Sequence, residues 1–261
     1  MTFLRTPAVV LRDYELSEQD KIVVFYSLKS GLIKVVVKGA RRIKSRFAPA
    51  IQFPSYNDLL IYKKENSTLG ILSDCKVRCS FPKIRKDILR FAYASYVAEV
   101  FLSFLEEGET SGNLFYLLVE ALSQLEQGEK KDFKSLICAF GLKLLYELGY
   151  KPELERCISC GKHRNSLNLI YFSPSKGGIL CKKCYRLSDK ALETSRTTLL
   201  VMDRLLHARI CIPFSPEVRQ VEGQIIETLE ACFLCHFDGK RINSLNFIQE
   251  VEELLKLEKE G

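Results

Sequence analysis

Residues 157–184 read CISCGKHRNSLNLIYFSPSKGGILCKKC and contain two Cys-x-x-Cys motifs separated by 20 residues. The four cysteines are Cys157, Cys160, Cys181 and Cys184. This is the ligand spacing of a four-cysteine zinc site, because each motif places two thiolates on one tight turn. Gly161 permits the chain to curl after the first motif, and Pro174, Gly177 and Gly178 favour a reversal that returns the second motif to the first. The stretch therefore predicts a zinc ribbon, with redox-active or merely buried thiols as the alternative.

The chemistry of the predicted ligands indicates what the metal does. Four thiolates fill every coordination position of Zn²⁺, whereas a catalytic zinc keeps one position for water. We therefore expect one structural Zn²⁺ per chain and no reaction at the metal. His163 lies close to the first motif, but four cysteines already satisfy the ion.

Length and composition predict a cytoplasmic protein with more than one domain. The chain has 261 residues, of which 47% are hydrophobic, and this is enough for a substantial core. The N-terminal sequence MTFLRTPAVVLRDYE lacks the apolar run of a signal peptide, and no stretch is apolar for long enough to span a membrane. The remaining cysteines are then expected to be reduced and buried.

Positive charge is concentrated in two parts of the chain. Residues 1–80 carry 14 Lys and Arg against 7 Asp and Glu, and residues 151–190 carry 9 against 3. The segments that follow each of these are acidic overall. Basic clusters separated by acidic segments indicate an oriented surface for a polyanion.

Residues 3–79 have the pattern of a small β-barrel. Five runs alternate between apolar and polar residues or are rich in β-branched residues, and the breaks between them are short. Five strands in this length are typical of an OB-type barrel, which binds oligonucleotides across one face. An SH3-like barrel is the alternative.

The stretch from Lys34 to Phe47, KVVVKGARRIKSRF, contains six cations and no acid. We expect them to contact DNA phosphates with a strong dependence on salt. The six are Lys34, Lys38, Arg41, Arg42, Lys44 and Arg46. Phe47, Phe53 and Tyr56 are candidates for stacking on bases, although a solvated loop whose aromatics belong to the barrel core is the alternative. Lys182, Lys183 and Arg186 in the ribbon form a rival basic locus.

Helical periodicity begins after Pro82 and resumes after the ribbon, where Ser195 is a candidate N-cap. We predict an α+β multi-domain protein with three parts. They are an OB-type barrel at 1–80, a helical bundle domain at 81–155 and 186–261, and an inserted four-cysteine zinc ribbon at 156–185.

No catalytic constellation is recognisable in the sequence. The three histidines do not combine with a nucleophile or acid at a known spacing, and common catalytic motifs are missing. Cys232, Cys235 and His236 form the Cys-x-x-Cys-His signature of a c-type haem, but the motif lies in a helix whose apolar line includes Cys232 and His236, and core packing is expected instead. We therefore predict a protein that is not an enzyme.

Two motifs carry a resemblance to a known family. The segment from Val36 to Phe47 reads Val-x-Lys-Gly-x-Arg-Arg-x-Lys-Ser-Arg-Phe, and the segment from Leu148 to Cys157 reads Leu-Gly-Tyr-x-Pro-x-Leu-x-x-Cys. Together with the order of barrel, helices and ribbon, they resemble the RecO family of bacterial recombination mediators. The resemblance covers the whole chain, and this sequence has all four zinc cysteines, which not every member keeps.

The resemblance implies a role in DNA repair. It implies binding of single- and double-stranded DNA, annealing of complementary strands and association with the nucleoid. It also implies contact with RecR and with the tail of single-stranded-DNA-binding protein, and thereby indirect loading of RecA. A zinc-dependent nuclease would need an open metal site or clustered carboxylates, whereas a zinc-ribbon factor of transcription or translation would share the basic barrel and the ribbon.

Overall fold

A computed structural model describes most of the chain. The described residues are 2–63, 69–187, 190–210, 213–236, 239 and 241–260. They form two compact units, one made of Met1–Gln127 with Ser244–Gly261 and the other of Gly128–Asn243. The predicted boundaries of barrel, helical domain and ribbon stay a prediction. Within the described ranges, no helix is both long enough and apolar enough to cross a membrane.

The first unit is built on a closed five-stranded barrel. Its strands are β1 (Thr2–Glu15), β2 (Lys21–Ser27), β3 (Gly31–Val37), β4 (Tyr56–Lys63) and β5 (Gly70–Cys79). Their order around the barrel is β1-β2-β3-β5-β4, and only β3 and β5 run parallel. This five-stranded Greek-key arrangement is the predicted OB-type barrel.

The barrel closes through β1, which is long enough to pair with two strands. Its first half pairs with β4 and its second half with β2, and the register shifts between Val10 and Arg12. A bulge of this kind bends a strand and increases its twist, which barrel closure requires. Alternate residues then point inward, and Val10, Phe25 and Leu59 are buried in the barrel core.

Helices account for most of the rest of the described residues. They are α1 (Ala48–Ile51), α2 (Pro82–Lys86), α3 (Ile88–Phe104), α4 (Gly112–Gln127), α5 (Phe133–Glu147), α6 (Arg196–His207), α7 (Pro216–His236) and α8 (Asn243–Glu260). The α3 helix is buried on most sides, and Phe101 packs edge-on against Tyr26 of β2 at 5.1 Å between ring centroids. Asp87 caps the N-terminus of this helix, since its carboxylate accepts hydrogen bonds from the N–H groups of Leu89 and Arg90.

The second unit is built around α5. Nearly every residue of this helix is buried, and Gly141 lies so close to α7 that an added Cβ would be 2.8 Å from Leu229 Cδ1. The helix is followed by a glycine turn, in which Gly149 has a positive φ of 87° and the Tyr150 N–H donates to the Leu145 carbonyl. Ser195 caps α6 by accepting the Thr198 N–H at 3.0 Å.

The haem-like motif lies in α7 and only part of it packs in the core, so the expected burial is confirmed for Cys232 and wrong for Cys235. Cys232 is buried in α7, and burial, with Cys235 nearby, raises the pKa of its thiol to about 12. Cys235 is exposed on the same helix. His236 has its Nε2 3.0 Å from the Pro174 carbonyl oxygen, so the ring is used in packing and hydrogen bonding. Cys138 of α5 is also buried.

Candidate metal centre and nucleic-acid interface

The ribbon holds its two Cys-x-x-Cys motifs together through a short sheet. Strands β6 (Ile170–Ser173), β7 (Gly178–Cys181) and β8 (Leu192–Thr194) pair in the order β7-β6-β8. The β7 strand ends at Cys181, and the Ile158 N–H of the first motif donates to the Ile179 carbonyl at 2.9 Å. This hydrogen bond places the first motif beside the second.

Two glycines explain why the ribbon can fold this tightly. Gly161 has a φ of 73°, and its N–H donates to the Cys157 carbonyl at 2.8 Å, which closes the first turn. At Gly178, an added Cβ would lie only 2.5 Å from Ile158 Cγ2. Gly178 therefore serves the close packing of the first motif on β7.

The four sulfurs have the spacing that a tetrahedral metal requires. The Sγ atoms of Cys157, Cys160, Cys181 and Cys184 all lie within 4.8 Å of one another. Zinc–sulfur bonds of about 2.3 Å in a tetrahedron put the sulfurs about 3.8 Å apart. The Sγ atoms of Cys160 and Cys181 are 3.8 Å apart. This group could therefore hold a metal ion, and four sulfur donors suit zinc.

The ribbon also favours deprotonation of one of these thiols. Burial opposes the thiolate of Cys157, but backbone N–H groups at Cys181, Cys160 and Ser159 stabilise it and lower its pKa to about 6. For Cys184, a hydrogen bond from Ser159 favours the thiolate, but the neighbouring Cys181 and Cys160 sulfurs raise its pKa to about 11. Four crowded thiols cannot all ionise alone, and a bound cation would remove that conflict.

His163 has a local structural role. Its Nδ1 accepts the Asn165 N–H at 3.2 Å and so caps the short 3₁₀ turn Arg164–Ser166. Among the described residues, the group that could hold a metal consists of the four cysteines and does not include His163.

The predicted DNA-binding segment is the end of β3 and the loop that leads to α1. The loop, residues 38–47, is fixed to the turn between β1 and β2. Gly39 donates its N–H to Asp20 Oδ1 at 2.8 Å, and Arg41 donates its backbone N–H to the Gln19 carbonyl at 3.0 Å. Gly39 has a φ of 66°, which lets the chain leave the strand. The loop therefore presents its side chains from a defined position.

The fold brings acids to two of the six cations. Lys34 pairs with Glu107 at 2.6 Å, which raises its pKa, and Arg41 pairs with Glu15 at 3.0 Å. Sequence reasoning missed both acids because they lie outside the basic segment. Glu15, which pairs with Arg41, is the last residue of β1. Its place just before the turn that supports the loop could have indicated from the sequence that it lies near the loop.

The other four cations are exposed and have no acidic partner among the described residues. They are Lys38, Arg42, Lys44 and Arg46. Arg42 donates to the neutral amide oxygen of Gln19, and Arg46 donates to the Ser73 carbonyl. Hydrogen bonds to neutral oxygens leave the positive charge available to an anion. The predicted contact of the six residues with phosphate stays a prediction.

The three candidate aromatics differ in their surroundings. Phe47 is buried in the barrel core under the guanidinium of Arg46, 4.5 Å from its ring centroid. Tyr56 packs under Arg78, which also donates to its hydroxyl. Phe53 is only partly buried and meets Phe91 edge-on at 5.7 Å. Phe47 therefore belongs to the barrel core, as in the alternative to base stacking, whereas Phe53 keeps part of its ring accessible.

The ribbon presents the rival basic locus. Lys182, Lys183 and Arg186 are exposed around the second Cys-x-x-Cys motif. The rings of Tyr171 and Tyr185 stack beside them at 4.2 Å with an interplanar angle of 10°.

Comparison with known proteins places most of the chain in one family. The family description "Recombination protein O N terminal" matches residues 1–81, and "Recombination protein O C terminal" matches residues 85–246. The chain belongs to the RecO family. The first match covers the barrel, and the second covers most of the helices and the ribbon.

Similar proteins share this assignment over most of their length. The DNA repair protein RecO of Alkaliphilus metalliredigens is 29% identical over 95% of this chain and 99% of its own. That of Caldanaerobacter subterraneus subsp. tengcongensis is 34% identical over 80% of this chain and 82% of its own. That of Pelotomaculum thermopropionicum is 35% identical over 79% and 78%.

Proposed function

We propose that this protein acts in DNA repair as a non-enzymatic, DNA-binding recombination mediator in the cytoplasm, where it associates with the nucleoid. The observation that carries the proposal is the match of both RecO family descriptions across the chain, from the barrel through the ribbon. The relatives named above are DNA repair proteins. The exposed cations of the β3–α1 loop support contact with the DNA backbone, since phosphate contacts supply most non-specific affinity.

Phosphate neutralisation explains how such a protein anneals strands without bond chemistry. Two complementary strands repel each other because each carries one negative charge per nucleotide. A basic loop that binds phosphates reduces this repulsion and leaves the bases free to pair. The loop contacts are with backbone phosphates, so we propose that annealing is insensitive to sequence and weakens as salt rises.

We propose the partners that the family resemblance implies. These are single- and double-stranded DNA, RecR, and the C-terminal tail of single-stranded-DNA-binding protein, with RecA loaded indirectly. We further propose that the four cysteines bind one structural Zn²⁺, because sulfur donors at tetrahedral spacing are typical of structural zinc sites. The metal would fix the ribbon and would take no part in chemistry.

The test is a comparison of nucleic acids combined with an annealing assay. Binding of single-stranded DNA, duplex DNA and structured RNA is measured by fluorescence anisotropy at fixed salt. Annealing of complementary oligonucleotides, bare or coated with single-stranded-DNA-binding protein, is followed without nucleotide triphosphate. We expect DNA binding and faster annealing of coated strands. Preference for structured RNA without any annealing would instead support a transcription or translation factor.

A further inference from the structure

A pocket of about 440 Å³ opens in the first unit at the base of the β3–α1 loop. It is lined by Asp13, Lys21, Ala40, Ala48, Ile51, Gln52, Phe53, Arg85 and Phe91. Its volume lies within the range of about 300 to 1,000 Å³ that is usual for small-molecule sites. None of the loop's phosphate-directed cations is among these residues, so the pocket has a chemistry of its own.

The walls of the pocket are apolar and aromatic. Ala40, Ala48 and Ile51 supply small and aliphatic surface, and Phe53 and Phe91 meet edge-on at 5.7 Å. This edge-on contact leaves ring faces that are not stacked on each other. Flat aromatic ligands bind such faces well, and a nucleobase of any kind has the required π-surface.

The two cations of the pocket have different surroundings. Lys21 Nζ lies 2.5 Å from Asp13 Oδ2. Arg85 donates through Nη1 to the Gln52 side chain and through Nη2 to the carbonyls of Gln52 and Pro54, and burial lowers its pKa. Arg85 donates to neutral oxygens only, and its buried Nε has no hydrogen-bond partner among the described residues, so its positive charge stays available. A flat ring whose edge carries hydrogen-bond acceptors suits these groups, and every nucleobase has such an edge.

The position of the pocket links it to the loop. Ala40 lies near the start of the basic loop and Ala48 immediately follows it, so both ends of the loop form pocket wall. A strand whose phosphates bind Lys38 or Lys44 would therefore pass close to the opening. Bases of a single strand can turn inward there, whereas bases of a duplex are held by pairing and stacking.

We propose that this pocket receives one unstacked nucleobase from a single strand bound on the basic loop. The inference rests on the proposed DNA-binding function and deepens it, because it adds a contact that a single strand can make on the loop and a duplex cannot. Stacking on Phe53 holds the base, and Gln52 at the rim offers hydrogen bonds that several bases can use. Recognition is therefore of the base as a flat ring, with little dependence on sequence.

A tryptophan reporter tests the proposal directly. The chain contains no tryptophan, so Phe53→Trp places the variant's single tryptophan in the pocket wall. A mixed-sequence single-stranded oligonucleotide should quench its emission by stacking, and the same sequence as a duplex should leave it unchanged. Tyr116→Trp, at a site on α4 that is 61% exposed, is the matched control and should respond to neither. Equal quenching by duplex, or none by single strands, would overturn the proposal.

A third titration separates the two classes of ligand. A peptide of the C-terminal tail of single-stranded-DNA-binding protein, one of the partners proposed above, is added to the Phe53→Trp protein in place of DNA. Quenching by this peptide together with no response to single-stranded DNA would assign the pocket to a protein tail, and the inference would be wrong. No response to the peptide is the expected result.

A pocket-filling variant provides an independent measurement in the protein without tryptophan. Ala48→Leu should reduce affinity for single strands by about tenfold, within the range for one base stacked on an aromatic side chain, and should leave duplex affinity unchanged. The dependence of affinity on salt should also be unchanged, because no phosphate contact is removed. Normal single-strand affinity in a folded Ala48→Leu protein would contradict the nucleobase pocket but would leave the proposed DNA-binding function standing. Loss of all DNA binding by the unaltered protein would contradict the proposed function itself.

Discussion

Removal of charge from the β3–α1 loop tests where DNA binds. We select Lys38, Arg42, Lys44 and Arg46 for replacement by Gln, because they lack an acidic partner among the described residues. Arg41 is kept, since its ion pair with Glu15 already compensates part of its charge. Each phosphate contact on a single strand contributes about 0.7 to the slope of log affinity against log salt, so four lost contacts should reduce the slope by about 3.

The assay is a salt titration of oligonucleotide binding by fluorescence anisotropy. Affinities of the unaltered protein and the loop variant are compared between about 50 and 200 mM salt, on strands of two unrelated sequences. The loss should be the same for both sequences, because phosphate contacts carry no base information. The free energy of unfolding should change by less than about 0.5 kcal/mol for each substitution, since all four side chains are on the surface.

A ribbon variant serves as the matched control. Lys182, Lys183 and Arg186 are replaced by Gln, which removes three exposed cations from the rival basic locus. We expect this variant to keep the slope of the unaltered protein. A loop variant with the parental slope, together with a ribbon variant that loses slope, would place the main DNA contact on the ribbon and refute the reasoning.

Three further predictions follow from the second unit. Replacement of Cys157 and Cys181 by Ser should abolish stoichiometric zinc in metal analysis while most helical circular dichroism remains, because the helices have their own core; retained zinc would contradict the ligand assignment. In the unaltered protein, metal affinity should fall as the pH is lowered, because every ligand thiol must lose its proton to bind, and the fall should become steeper below about 6, where Cys157 is protonated as well; a pH-independent affinity would contradict this. Asp132 forms an ion pair with Arg219, and the side chain of Asp132 is 0% exposed while that of Arg219 is 33% exposed. Asp132→Ala should therefore reduce the free energy of unfolding by about 2 to 3 kcal/mol in denaturant titrations, which is less than for a fully buried pair. A stability close to that of the unaltered protein would show that the pair contributes little.

Elements with a repeating pattern could be predicted from the sequence. The alternation along the barrel strands and the apolar stripe after Pro82 depend only on which face each residue presents, so five strands and the main helices were found. Ser195 and Gly161 were recognised because caps and turns depend on a few neighbouring residues. The four-cysteine cluster was also local in this sense, because two tight turns determine most of its geometry.

Features that depend on distant parts of the chain could not be predicted. The acids that pair with Lys34 and Arg41 come from other elements, so the loop appeared less compensated in sequence than it is in space. The close approach that requires Gly178 involves Ile158 of the other motif, and no local pattern reports it. The pocket beside Phe53 is likewise formed by residues from β1, β2, the loop and three helices.

We propose that this RecO family protein anneals DNA by neutralising phosphates with its β3–α1 loop. The direct measurement is the annealing rate of complementary strands coated with single-stranded-DNA-binding protein, without nucleotide triphosphate, for the unaltered protein and for the variant that lacks the four loop charges. We predict that the unaltered protein accelerates annealing and that the loop variant loses most of this acceleration at moderate salt. Equal acceleration by both proteins, or none by either, would contradict the account.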